Sequence, residues 1–165
     1  MGGASRRFQL TWGLRLFGWL RIPLLASVRP RVLELTGDRC VVEVPLRRWT
    51  RNHLGSMYFG ALAIGADCAA GLLAMDHIRR SGRDISLVFK AFQAQFLRRP
   101  ESDVRFTCQE GAAVRELVAR ALADGARVTA PLAVRAEART PEGAFEPVAE
   151  FVLELSLKPK AVPAE

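Results

Sequence analysis

The chain has 165 residues, half of them hydrophobic and a quarter charged, with 24 Lys and Arg against 17 Asp and Glu for a net charge of +7. That length and balance suit one globular domain with a substantial core and exclude a largely disordered chain. The arginines come as scattered pairs such as Arg47-Arg48 and Arg98-Arg99. No zinc-finger spacing, RNA-recognition signature or interleaved aromatic stripe accompanies them, so nucleic acid is not the expected partner. The basic surface reads either as a solvated face or as a mouth that attracts a phosphate-bearing carrier. Cys40, Cys68 and Cys108 lie far apart, and there are only two histidines, His53 and His77. Reduced thiols in a cytoplasmic protein are expected, with no metal site and no cofactor.

Ser5-Arg6-Arg7-Phe8-Gln9-Leu10 has a faint look of a twin-arginine export signal, but Arg15 and Arg21 break the apolar stretch after it and no small-x-small cleavage site follows. The reading preferred is an amphipathic helix from Phe8 to about Leu20, ended near Pro23, that covers the domain; resting on a membrane surface is the less favoured role. Residues 1–29 are thus an N-terminal helical extension. Arg31–Leu35 and Arg39–Val44 are β-rich and flank Thr36-Gly37-Asp38, which predicts a hairpin. A basic loop, Pro45 to Asn52, follows.

Leu54 to Met75 holds one formally charged residue, Asp67, and many small ones, including Gly60, Ala61, Gly65, Ala66, Ala69, Ala70 and Gly71. Each helix-interior glycine costs about 1 kcal/mol relative to alanine. A buried helix whose backbone lies close to a sheet is the expected compensation. Asp76, His77, Arg79 and Arg80 are expected to return the chain to water before Ser81-Gly82 ends the helix. Ile85–Leu97 and Asp103–Cys108 read as strands, and Ala112–Ala123 as an amphipathic helix stopped by Gly125. Ala126–Arg139 alternates apolar and polar residues, Pro141-Glu142-Gly143 makes a turn, and the stretch from Glu150 to Lys158 alternates again. Such strands suit an antiparallel sheet with one wet face, in an α+β domain spanning 30–158. Residues 159–165 are expected to form a flexible tail.

The run from Asn52 to Asp67 resembles the signature of phenylacetate-type (PaaI-like) hotdog thioesterases, which has an Asn, a Gly, a His-Gly-Gly at a helix start and an Asp two turns in. Asn52, Gly55, Gly60 and Asp67 match in order. Phe96-Leu97-Arg98-Arg99-Pro100 resembles the aromatic-x-x-Pro end of that family's central strand with one extra residue. Glu142-Gly143 and Val148-Ala149 are similar to its last hairpin. Tyr58-Phe59-Gly60 stands where the family has His-Gly-Gly. The resemblance covers about Pro30 to Lys158 and implies a hotdog fold, an antiparallel sheet wrapped around the Tyr58–Arg79 helix. It also implies a homodimer or dimer of dimers with sites between subunits.

It implies, further, hydrolysis of an acyl thioester of coenzyme A or of an acyl carrier protein. A thioester needs a polarised carbonyl, a placed water and a base. The start of a buried helix offers free N–H groups and a positive dipole end, and at Gly60 no side chain bars a carbonyl. Asp67, seven residues on, shares its face and should have a raised pKa if unpaired, as suits a general base; attack as a nucleophile is the other possibility. Asn52 is the expected positioner of the water or carboxylate, with Gly55, Tyr58, Phe59 and Ser86 as substrate contacts. Read without the resemblance, Asp67 is a loop cap or an arginine's partner across an interface, Asn52 a turn residue, Gly60 a packing glycine and Tyr58 a core aromatic. Two rival functions stand beside hydrolysis: a hotdog domain that holds an acyl chain or acyl-CoA without cleaving it, and a membrane-surface protein working through the N-terminal helix.

Overall fold

The computed structural model describes residues 3–160. The tail expected at 159–165 therefore falls largely outside the described residues. Ten elements follow one another: α1 (Gly3–Arg21), α2 (Pro23–Ser27), β1 (Arg31–Leu35), β2 (Cys40–Val44), α3 (Phe59–Ser81), β3 (Ile85–Phe96), β4 (Val104–Cys108), α4 (Gly111–Asp124), β5 (Val128–Arg139) and β6 (Phe145–Pro159). The strands form one antiparallel sheet in the order β1-β2-β4-β5-β6-β3. α3 lies across its inner face and packs on β2, β3, β4, β5 and β6, while α4 packs beside it.

The alternation in β5 and β6 sets that inner face. Leu132, Val134, Ala136 and Ala138 of β5, and Phe151, Leu153, Leu155 and Leu157 of β6, are all buried. On α3 the buried positions include Ala61, Leu62, Gly65, Ala66, Ala69, Ala70, Leu73 and Ala74. Their small size lets the helix backbone sit low on the sheet. At Gly65 a methyl group would clash with the Phe106 ring, which is itself fully buried on β4. α3 ends where Gly82 takes φ +66° and its N–H donates to the Arg79 carbonyl.

The helix expected over Tyr58–Arg79 runs from Phe59 to Ser81, and the start of the apolar run, residues 52–57, is an ordered loop in which Gly55 takes φ +85°. Two local expectations change. Pro23 does more than stop α1, because it opens the short helix α2, where its missing N–H costs nothing. Asp76 and His77 do not meet water. Asp76 is buried and holds Arg79 Nη2 at 2.9 Å and Arg80 Nε at 2.7 Å, and His77 Nε2 lies 2.7 Å from the Gly37 carbonyl oxygen. The guanidinium heads, not the two residues before them, make the exit to solvent.

β3 is an edge strand of a particular kind. It pairs with β6 on one side only, and residues 90–99 are exposed on both faces. Phe92 and Phe96 lie opposite the buried Leu153 and Ala149 of β6, hence on the inner face, yet they remain 43% and 51% exposed.

Gly65→Ala is expected to lower stability by about 1–3 kcal/mol, the usual cost of overfilling a packed core. Gly13→Ala, in the open interior of α1 with nothing within 4 Å of the added methyl, should be neutral or stabilise by up to about 1 kcal/mol. Urea melts of both variants check the pair.

Candidate functional site

The loop before α3 is built by two small side chains. Thr50 Oγ1 donates to the Pro45 carbonyl at 2.7 Å and accepts from the Arg47 N–H at 2.8 Å. Asn52 Oδ1 accepts from the N–H groups of Leu54 (2.9 Å) and Ser56 (3.2 Å), while its Nδ2 donates to Ser56 Oγ at 3.0 Å. The segment is then fastened from outside: Met57 N–H donates to the Pro100 carbonyl at 2.9 Å and Tyr58 N–H to the Thr50 carbonyl at 2.8 Å. These bonds aim the chain into α3. Asn52 therefore occupies the turn position that such a residue favours, with its polar atoms engaged inside the loop. No hydrogen bond joins it to Asp67. Gly55 supplies the left-handed turn of the same loop and is exposed.

Tyr58 caps α3 in extended conformation, without a side-chain cap. Its carbonyl accepts from both Ala61 N–H (2.9 Å) and Leu62 N–H (3.1 Å). The N–H groups of Phe59 and Gly60 are left without a bond among the described residues, as the first donors of a helix commonly are. The space beside Gly60 is not open, however. The Tyr58 ring lies over it, 2.7 Å from where a Cβ would stand. Tyr58 and Phe59 stack at 4.6 Å between ring centroids, and Phe59 meets the Phe96 ring edge-on at 6.4 Å. Both are about half exposed, so Tyr58 is a surface aromatic over the helix start, not a core one.

Asp67 is half-buried on the same face of α3 as Gly60 and Gly71. The position of a methyl on Gly71 would be 3.8 Å from both Asp67 Oδ1 and Phe89 Cε2, so the carboxylate rests over a glycine and beside a β3 aromatic. No hydrogen bond or ion pair engages it among the described residues, and burial alone pushes its pKa upward. The loop-capping role weighed for this residue is therefore not realised.

The structure thus brings Gly60, Tyr58, Phe59 and Asp67 onto one open face of α3 and sets Asn52 and Gly55 in the loop that leads to it. Ser86 stands apart. It opens β3, roughly 30 Å along the strand from Phe96, opposite Lys158 of β6. Phe89, Phe92 and Phe96 were not among the residues expected at the site. Their sequence signals are the Phe-rich pattern of β3 and, for Phe96, the aromatic-x-x-Pro likeness, neither of which says which end faces α3. Cys68, beside Asp67 in sequence, is buried, and burial holds its thiol well above the usual range. Among the described residues no three His, Cys, Asp or Glu side chains gather as metal ligands do. Two hollows lie elsewhere, one lined by His77, Arg80 and Arg115 and the other by Glu43, Arg105 and Phe145.

The sheet, its central helix and their order define a hotdog-fold protein. The profile of a domain of unknown function (DUF4442) matches residues 12–154, and the chain belongs to that family. Among solved structures, the chain is similar to a candidate thioesterase from Shewanella oneidensis at 16% identity, over 92% of this chain and 99% of that one, with a TM-score of 0.75. A protein of unknown function from Chlorobaculum tepidum matches at 14% identity, over 93% and 97%, with a TM-score of 0.76. A thioesterase family protein from Silicibacter pomeroyi matches at 16%, over 91% and 99%, with a TM-score of 0.66. At these identities the likeness establishes the fold. No curated protein matches the chain.

Burial raises the Asp67 pKa, so folding disfavours its ionised form relative to the unfolded chain. The unfolded chain ionises first as pH rises, near the ordinary value of about 3.9, and stability falls from there up through the folded-state pKa. Asp67→Asn removes that penalty. It is expected to melt above the parent at pH 7 and to lose the advantage as pH falls toward about 4, as calorimetry across that range would read.

Proposed function

We propose that the protein hydrolyses an acyl thioester, carried by coenzyme A or an acyl carrier protein, at the N-terminal half of α3, in the manner of the phenylacetate-type branch it resembles. The observation that carries this reading is the pairing, on one open face of α3, of a half-buried unpaired carboxylate with two unpaired helix N–H groups. The Phe59 and Gly60 N–H groups, at the positive end of the helix, hold the thioester oxygen as it gains charge. Asp67 takes a proton from water, whose oxygen attacks the carbonyl carbon. The collapsing intermediate expels the thiolate, which leaves as the thiol once protonated, and the acyl group departs as the acid.

Seven residues of helix separate Gly60 from Asp67 by about 10 Å along the axis. Within one chain that span suits a base working through a water and is long for a carboxylate attacking the same carbonyl. General base is therefore the role we assign to Asp67. Asn52 acts by setting the loop that aims the helix start.

The active unit is a dimer. The unpaired edge of β3, with Phe92 and Phe96 half exposed on the inner face beside the open face of α3, offers a second copy both backbone and apolar surface. Antiparallel pairing of two β3 strands sets the start of one beside the end of the other. In that arrangement Ser86 joins the site near Gly60. The protein acts in the cytoplasm on this reading, with no metal or cofactor.

One observation favours a second reading, an acyl-binding protein without turnover: the Tyr58 ring covers the approach to Gly60. Thiol release from short, long and aromatic acyl-CoAs tests both. The three cysteines are buried, and burial pushes the Cys108 thiol up to about 11, so the protein's own background should be low. Turnover is expected to fall about 10²-fold or more in Asp67→Asn. In the parent, kcat/KM should rise with pH through a limb lying above the ordinary carboxylate range, because the base works ionised. A folded parent with no turnover on any acyl group, together with acyl-CoA binding, would establish the second reading. Turnover indifferent to Asp67 would remove the mechanism.

A further inference from the structure

α1 has two apolar faces, and the domain uses one. Leu10, Leu14 and Gly18, at four-residue steps, turn inward. The helix is fixed in that rotation. Thr11 Oγ1 accepts from Val32 N–H at 3.0 Å, Arg15 donates to the Pro30 carbonyl at 3.1 Å and to the Arg29 carbonyl at 3.2 Å, and a methyl on Gly18 would press on the Ala26 nitrogen at 3.0 Å. The opposite face is therefore held outward and cannot roll in to cover another part of the chain. It carries Phe8 (64% exposed), Trp12, Leu16, Trp19 (74%) and Leu20, continued by Ile22 and Leu24 at the α1–α2 corner. Phe8 and Trp12 pack edge-to-face at 5.9 Å, one turn apart.

Charge says what this face meets. The first 33 residues hold six arginines and no acidic residue. Arg6, Arg7, Arg21 and Arg29 are exposed, and none forms an ion pair among the described residues. Two copies joined through this face would bring arginine against arginine. A convex ridge of Trp, Phe and Leu flanked by free guanidinium groups instead matches the boundary of an anionic bilayer, where aromatic rings settle at headgroup depth and arginines meet lipid phosphates. Arg15 and Arg21 keep α1 from spanning. The inward side of α1 packs on β1, the sheet edge opposite β3, so the ridge on its outer side stands clear of the site and of the edge assigned to dimer contact.

The geometry points to α1 as a surface anchor: its outer face, Phe8, Trp12, Leu16, Trp19 and Leu20 with the neighbouring arginines, docks the protein on an anionic lipid bilayer. This goes beyond the proposed hydrolysis and does not depend on it.

The test uses the full chain with Trp49→Phe, which leaves Trp12 and Trp19 as reporters. Vesicles of phosphatidylcholine alone are compared with vesicles containing phosphatidylglycerol. Sedimentation with the anionic vesicles and a blue shift of tryptophan emission are expected, both weakened by salt. Arg6→Glu with Arg7→Glu and Arg21→Glu should bind at least on the order of tenfold more weakly. Trp12→Ser with Leu16→Ser and Trp19→Ser should lose sedimentation. All these side chains are exposed, and matching thermal melts verify that the variants fold. Absence of association with anionic vesicles, or association that survives both sets of substitutions, would overturn the proposal. So would a smaller oligomer for the serine variant in lipid-free buffer, which would give the ridge to a second copy.

Discussion

The close seat of α3 on the sheet is the constraint on which the rest of the structure depends. Gly65 over Phe106, with Ala66, Ala69 and Ala70 buried alongside, brings the helix backbone nearer the strands than branched side chains would allow. That seat fixes which residues stay partly open: Gly60, Ala63, Ile64, Asp67, Gly71 and Met75 form the less buried side of the helix. A carboxylate on this stripe is neither solvated as on a surface nor matched as in a core. Its raised pKa follows from that halfway position, and the same packing sets it two turns from the free donors of the helix start.

The loop from Pro45 to Tyr58 is the second determinant. A helix start with unpaired N–H groups is useful only if it points the same way in every molecule. Thr50 and Asn52 achieve this with short-range bonds, and Pro100 ties the loop to the segment after β3. Asn52 shows how a residue can matter to a site without entering it: its carbonyl oxygen is occupied by backbone N–H groups whose loss would loosen the entry to α3.

Much of this was legible in the sequence because it rests on pattern. The alternation of β5 and β6, the Thr36-Gly37-Asp38 turn, the Gly82 and Gly125 stops and the small-residue helix each follow from a local rule, and each stands in the fold. The charge of Asp67 amid apolar neighbours marks it out in the sequence itself. Other features were hidden because they depend on distant partners. Charge at Asp76 reads as surface, yet the arginines one turn later fold back over it, and His77 finds a carbonyl forty residues away. Leu54 and Met57 continue the apolar run, but Gly55 at positive φ breaks it. The order of Tyr58 and Phe59 can be read; that the Tyr58 ring folds over Gly60 cannot, since a side-chain rotamer leaves no trace in a pattern.

The strand order carries a consequence for how the chain is made. β3 is the most apolar of the exposed strands, with Lys90 as its one charged residue and no proline, and its only partner in the sheet is β6, the last strand of the chain. During synthesis β3 emerges about sixty residues before β6 is complete. Throughout that interval it has neither its ladder nor a cover, while β1, β2, β4 and α3 can already assemble. The window in which this protein is most exposed to wrong pairing is thus set by topology and closes only with the final strand.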